Sequence, residues 1–229
     1  MSVYTIGDLH LSFGVKKPMD IFRGWDNYVG RLTENWNRVV SDGDTVVVPG
    51  DISWAMNLSE TVKDFGYIDR VLNGKKILLK GNHDYWWTTA AKMNRFLEDN
   101  GFTRIRILNN NAFLVDGLSI VGTRGWINDD GEPCDLKVLN REAGRLRASA
   151  EEGKKLGGEL IAFLHYPPIF NGERNEYILS VIREYGIRRC FYGHIHGAAH
   201  GLAFQGEADG TEYRMVSADY LGFMPIRIT

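Results

Sequence analysis

Cysteine is scarce. Cys134 and Cys190 are the only two in 229 residues, and they lack metal-ligand spacing. Neither a disulfide framework nor a thiolate metal site is indicated, and two free thiols in a reducing compartment are expected. An excess of one charge is also missing. The formal net charge is −2 and the pI is near 6.3, which argues against a protein that coats nucleic acid or an anionic membrane surface. No apolar run approaches the ~20 residues that a membrane-spanning helix needs. Met1 leads directly into Val3-Tyr4-Thr5-Ile6, with no basic and then apolar leader, so a cytoplasmic location is expected. There is no internal repeat, low-complexity tract or Pro/Gly/Ser-rich linker.

What is present is the composition of an ordinary globular chain, 44% hydrophobic and 24% charged. A single domain over 1–229 is expected, and a chain of this length needs no disulfides to bury a core. Short β-prone runs alternate with helical patterns. Val3–Ile6, Thr45–Val48, Lys76–Lys80, Arg104–Leu108, Leu160–Leu164 and Arg189–Tyr192 are predicted strands. Trp25, Tyr28, Val29, Leu32, Trp36, Val39 and Val40 fall at helical spacing. Further helices are predicted from Ser59 (as N-cap) to Leu72, over Thr88–Glu98, over Leu136–Leu156 and over Asn175–Tyr185. Asp116-Gly117 marks a hairpin between Ala112–Val115 and Leu118–Val121. A long loop is expected over 122–135, and a β-rich tail over Ala199–Phe204, Glu212–Val216 and a last strand near Ile226. Alternation of this kind predicts a layered α/β domain whose sheet is not purely parallel.

Five of the predicted strands end in residues that can bind a metal. The ends are Asp8 and His10; Asp51; Asn82, His83 and Asp84; His165; and His194 and His196. Five of the six histidines lie in these segments. Taken singly, the first four segments read more plainly as a turn, a cap or a packed histidine, whereas two imidazoles two apart in Gly193-His194-Ile195-His196 rarely serve packing. Together the five do not read that way, because ligands of open α/β sheets bind outside the carboxyl ends of strands. Carboxylates, imidazoles and an amide oxygen suit manganese, iron or zinc. Nine candidate ligands exceed the needs of one ion with an open position, so two metal ions sharing a carboxylate are expected, with Asp51 as the shared one.

The ordered set Asp8-Leu9-His10, Gly50-Asp51, Gly81-Asn82-His83-Asp84, His165 and Gly193-His194-Ile195-His196 resembles the motifs of the calcineurin-like metallophosphoesterase superfamily. It spans about positions 8–196, and no ligand position is missing. The resemblance implies a four-layer αββα sandwich, two mixed β-sheets flanked by helices. It implies one metal on Asp8, His10, Asp51 and His196, and another on Asp51, Asn82, His165 and His194. It gives His83 a catalytic role, contacting the phosphate and protonating the leaving oxygen, with Asp84 orienting it. The implied activity is that of a dinuclear metal-dependent phosphohydrolase, in which a metal-bridging hydroxide attacks a small-molecule or nucleotide phosphoester in line. A phosphodiesterase acting on cyclic nucleotides or nucleic acid is the alternative, and a non-catalytic metal-binding scaffold a further one.

The chain departs from the Ser/Thr protein phosphatase branch, which carries G-D-x-x-D-R-G. Here Ala55 stands in place of its phosphate-gripping arginine, and Asp84 in place of a glutamate; the compact bacterial phosphohydrolases are the closer likeness. Arg124 is read first as a solvated loop residue, with replacement of that grip as the alternative. Arg141, Arg145 and Arg147 are read as solvating a helix face. Trp54, Trp86 and Trp87 adjoin motifs and are read as packing rather than stacking on substrate. Trp126 is a candidate lid residue, Pro167-Pro168 is expected to aim His165, and His200 is expected to be an ordinary surface or strand residue.

Overall fold

The strands are short, and in the central ones both faces are apolar, the pattern of a sheet covered on both sides. The computed structural model describes residues 1–126 and 135–229; Cys134 and most of the predicted 122–135 loop lie outside them. In chain order come β1 (Val3–Thr5), α1 (Tyr28–Val39), β2 (Thr45–Pro49), a 3-10 turn (Leu58–Thr61) running into α2 (Val62–Arg70), β3 (Lys75–Leu79), α3 (Ala90–Asp99) and β4 (Ile105–Ile107). The hairpin β5 (Phe113–Val115) and β6 (Leu118–Thr123) follows, then α4 (Leu136–Leu156), β7 (Glu159–Leu164), a small β8–β9 hairpin (Ile169–Phe170, Glu173–Arg174), α5 (Glu176–Glu184) and β10 (Arg189–Tyr192). A 3-10 segment (Gly197–Leu202) precedes β11 (Gly206–Ala208), β12 (Thr211–Met215) and β13 (Ile226–Arg227).

These strands form two mixed sheets. The first runs β13-β1-β2-β3-β4, with β1 to β4 parallel and β13 antiparallel at one edge. The second runs β11-β12-β10-β7-β6-β5, with four parallel central strands between antiparallel edges. Val47, Ile77 and Leu79 of the first sheet pack face to face with Ile120, Ile161, Phe163 and Phe191 of the second. The alternate residues Val46, Val48 and Leu78 face Leu32, Trp36, Phe65 and Met93 of the first helical layer. On the far side, Ala162, Leu164 and Tyr192 pack under Leu146, Leu179 and Ile182 of α4 and α5. The architecture is the expected αββα sandwich.

Two local expectations need correction. The N-cap of the helix around residue 60 is Asn57, whose side chain accepts from Glu60 N; Ser59 instead donates its hydroxyl to Asn57 Oδ1 at 2.6 Å. Ala199–Phe204 is no strand: 197–202 winds as a 3-10 helix, and the strand begins at Gly206. Its short alternation of apolar residues suits either form, a known ambiguity of brief apolar runs. The β8–β9 hairpin, only two residues a side, is too short to leave a period in the sequence.

Register decides where the chemistry lies. Pro49 stands opposite Leu79, and Leu164 opposite Tyr192. The loops that follow these strands therefore leave the sheets at one level and on one edge. Gly7 N donates to Val216 O at 2.7 Å and Ala218 N to Gly7 O at 3.1 Å, which stitches the two sheets together there.

Candidate metal centre

The nine predicted residues meet at this edge. Asp51 sits at its middle, with Oδ2 3.7 Å from His10 Nε2 and Oδ1 3.6 Å from His165 Nε2. Asp8 Oδ1 lies 3.6 Å from His165 Nδ1, and the Asp8 carboxylate accepts from His194 N at 3.0 and 3.1 Å. His10 Nε2 and His196 Nε2 face each other at 3.3 Å. Asn82 Oδ1 is 2.5 Å from His165 Nε2 and 2.9 Å from His194 Nδ1. Asp8 with His10 and His196, and Asp8 with Asp51 and His165, each present donor atoms within 4.8 Å of one another. Asp8 thus shares the middle with Asp51, which spacing along the chain does not indicate.

The backbone is bent to achieve this. Asp8, His10, Asp51 and His194 all have positive φ, between 46° and 76°, a conformation that non-glycine residues adopt sparingly and that concentrates at functional sites. The first loop donates to the second, Asp8 N to Gly50 O at 3.0 Å, His10 N to Asp51 O at 2.9 Å and Leu11 N to Ile52 O at 3.0 Å, and Trp54 N returns a bond to Leu11 O at 2.9 Å.

The electrostatics suit cations. Asp8 and Asp51 are buried, and burial pushes both carboxyls above the usual carboxylate range. Among the described residues neither has a lysine or arginine ion-pair partner; their charged neighbours are histidines. Burial holds His10, His165 and His194 well below histidine's usual range, aided by neighbouring imidazoles. They are therefore neutral, the form that ligates metal. Buried acids lacking a basic partner, with neutral imidazoles aimed at them, form a donor set that fits hard or intermediate metal ions.

His83 and Asp84 differ from the expectation. Asp84 is expected to orient His83, but among the described residues the two side chains share no hydrogen bond. The fully buried Asp84 carboxylate instead accepts from Ile52 N (2.9 Å), Ser53 N (3.2 Å), Gly81 N (2.7 Å) and Trp86 Nε1 (3.1 Å). It braces the two loops that carry Asp51 and Asn82, because their free backbone N–H groups converge on it. His83 N donates to Asp51 Oδ1 at 2.9 Å. Its ring lies 4.3 Å from Trp54, and its Nδ1 is buried with no hydrogen-bond partner among the described residues.

Trp54 also stacks on His10 at 5.0 Å, so it forms one wall of the centre, whereas Trp86 is a core residue packed on Phe65. Arg124 is not solvated: its guanidinium lies over Trp126 at 5.0 Å. Arg145 and Arg141 turn to the buried Glu142, at 2.8 and 3.7 Å, and only Arg147 pairs with an exposed acid, Glu184.

Sequence reasoning missed Asp219. Its Oδ1 lies 2.9 Å from His196 Nδ1, and its Oδ2 accepts from Gly197 N at 3.0 Å and lies 3.2 Å from His200 Nε2. His200 is thus a partly buried neighbour of the centre rather than an ordinary surface residue. Burial alone would lower the pKa of His196, but Asp219 and Asp8 carry it up to about 9. A carboxylate behind a ligating imidazole fixes its tautomer and orientation. Asp219→Asn is expected to weaken metal affinity about 10- to 100-fold while leaving the far-ultraviolet spectrum unchanged; a chelator-competition titration reads this. The signal is absent from the sequence because Asp219 lies beyond the last motif, in Ala218-Asp219-Tyr220, which resembles any surface turn.

Among the described residues no helix is long and apolar enough to cross a membrane. A family model described as calcineurin-like phosphoesterase matches residues 1–198. An uncharacterised protein of Methanocaldococcus jannaschii, MJ1445, is 28% identical over 127 residues, which is 55% of this chain and 65% of the relative. Two solved structures share the fold: TT1561 of Thermus thermophilus (TM-score 0.58, 12% identity, 99% of this chain and 97% of the other) and the protein of unknown function AQ665 from Aquifex aeolicus (TM-score 0.50, 17% identity, 99% and 95%).

Proposed function

The chain belongs to the calcineurin-like phosphoesterase family, and from that premise we propose that it is a two-metal phosphohydrolase acting on a small-molecule phosphoester. The observation that carries this reading is the Asp51 carboxylate, whose two oxygens face His10 and His165 at 3.7 and 3.6 Å. Asp8, His10, Asp51 and His196 would hold one ion, and Asp51, Asn82, His165 and His194 the other. A pair of manganese, iron or zinc ions bound there supplies Lewis-acid activation of water and neutralises phosphoryl charge. The remaining work falls to the chain. Asn82 would orient the phosphoryl group. His83, whose Nδ1 has no protein partner among the described residues, is free to deliver a proton to the departing alkoxide. Asp84 keeps the Gly81–Trp86 turn in register with Asp51, and Trp54 keeps water from one side of the His83 ring.

The test is a reconstitution panel. Metal-stripped protein is reloaded with Mn²⁺, Zn²⁺ or Mg²⁺ and given an aryl phosphate monoester, an aryl phosphodiester, a cyclic nucleotide and a nucleotide. Turnover with at least one pair is expected; none with any pair sinks the enzymatic reading.

Metal loading should also depend on pH. Asp8 and Asp51 are raised by burial, and His196 is raised to about 9 against the effect of its own burial. All three must give up protons before they can ligate. Protons therefore compete at acid pH, and affinity is expected to rise with pH until His196 is neutral, near 9. Calorimetry in two buffers of different ionisation enthalpy should show net proton release at pH 7. A flat affinity across this range would remove these residues from the ligand set.

A further inference from the structure

A cleft that the proposed reaction does not use opens on the same edge as the metal centre. β4 is the neighbour of β3, and β6 the neighbour of β7. The cleft lies between the carboxyl ends of β3 and β4 in one sheet and β6 in the other, and is lined by Lys80, Asn109, Asn110, Thr123, Arg124 and Arg145. Lys80 is two residues before Asn82. Arg124 lies 6.0 Å from the Tyr166 ring, which is 4.3 Å from the ring of His194. With adjacent strands ~4.8 Å apart, the cleft is on the order of 5–10 Å from the metal-binding side chains.

Among the described residues cations outnumber acids here. Asp84 acts on Lys80, and Glu142 is fully buried against the arginines. It accepts from Thr123 Oγ1 at 2.7 Å and Arg145 Nη1 at 2.8 Å, with Arg141 Nε at 3.7 Å and Arg124 Nη2 at 3.9 Å. One carboxylate thus faces three arginines. Lys80 lines the cleft and makes no hydrogen bond or ion pair among the described residues. Arg124 Nε is buried without a hydrogen-bond partner among the described residues. Half-buried cations short of anions, beside a centre that handles phosphoesters, are arranged to receive an oxyanion.

We propose that this cleft is a second anion subsite, in which Lys80, Arg124 and Arg145 hold a phosphate or carboxylate carried elsewhere on the substrate. The inference rests on the phosphoesterase reading and narrows it: the substrate is a phosphoester bearing a second oxyanion.

A matched pair of esters tests it on the metal-loaded protein, butyl phosphate against butane-1,4-diol bisphosphate. The ester chemistry is the same and only the second phosphate differs. The bisphosphate is expected to be preferred in kcat/KM by about tenfold or more, the gain a charge-assisted contact supplies, through KM. Lys80→Met and Arg145→Met should each bring that ratio toward one, and Arg145→Lys should restore part of it. Thermal melts guard against unfolding in Arg145→Met, which deprives Glu142 of a partner; Lys80→Met breaks no such contact. Equal use of the two esters by the wild type, or a ratio unmoved by either variant, overturns the subsite. Should neither ester turn over, the reconstitution panel decides the phosphoesterase reading, and inorganic pyrophosphate binding to chelator-treated protein decides the cleft. Binding that Lys80→Met abolishes supports it, and no binding, or binding that survives the substitution, refutes it.

Discussion

Replacing His83 with alanine is expected to leave metal loading intact and to lower turnover about 10²- to 10⁴-fold, the usual scale of a lost general acid. Loading should survive because the contact tying this residue to the centre is made by its backbone: His83 N donates to Asp51 Oδ1, and alanine keeps that donor. The ring is not one of the donors proposed for either ion. It is set instead between Trp54 at 4.3 Å and Tyr85 at 6.1 Å, with a buried nitrogen that no described protein group satisfies. A proton donor matters most when the departing oxygen is a poor leaving group. The deficit should therefore be largest for an alkyl phosphate and smaller for 4-nitrophenyl phosphate. Metal content by plasma emission, measured with kcat on both esters, separates the outcomes. Full activity on both removes His83 from the chemistry, whereas loss of metal together with activity makes it a ligand.

The parts of this molecule that can be read from the chain share a cause. Leu136–Leu156 is legible with its bounds because Asp135 caps one end and Gly157-Gly158 stops the other. The β5–β6 hairpin is visible because Asp116 and Gly117 supply the two positive φ values its turn needs. The strand-end residues are visible because a parallel strand must put its ligand-bearing loop at its carboxyl end. What is illegible depends on who meets whom in space. Adjacency in sequence pairs Asp84 with His83, yet four donors from two loops and a tryptophan claim its carboxylate. Asp219 is 23 residues from His196 and carries no motif. Arg124 and Arg145 look like solvated charges because nothing along the chain reveals that both turn to a buried Glu142. A pattern of residue types records which side chains leave a strand end, but the neighbours of a carboxylate are set by tertiary packing.

Gly81→Ala should be the most damaging single methyl group in the protein. Gly81 precedes Asn82, and a Cβ there would lie 2.1 Å from both Asp51 N and Asp51 Oδ1, and 2.9 Å from Asp51 Cα. These are backbone and a buried carboxylate, not the end of a flexible side chain, so the clash cannot be relieved by a rotamer change. The loop cannot move freely either, since Gly81 N donates to Asp84, which also holds Ile52 and Ser53. Overpacking of this kind costs about 1–3 kcal/mol or more, and in a chain of this size each kcal/mol lowers Tm by about 2–4 °C. The functional loss should exceed the stability loss, because the displaced group is the carboxylate proposed to join the two metal sites; metal affinity is expected to fall at least about 100-fold, beyond the range of a substitution behind the ligands. Gly144→Ala supplies the opposite sign. Gly144 lies in the middle of α4, exposed, with nothing within 4 Å of an added Cβ, and alanine there should stabilise by about 0.5–1 kcal/mol. Calorimetric melts and chelator titrations of the two variants side by side check both. A Gly81→Ala protein that binds two metals as tightly as the wild type would show that the contact between Gly81 and Asp51 does not set the geometry of the centre.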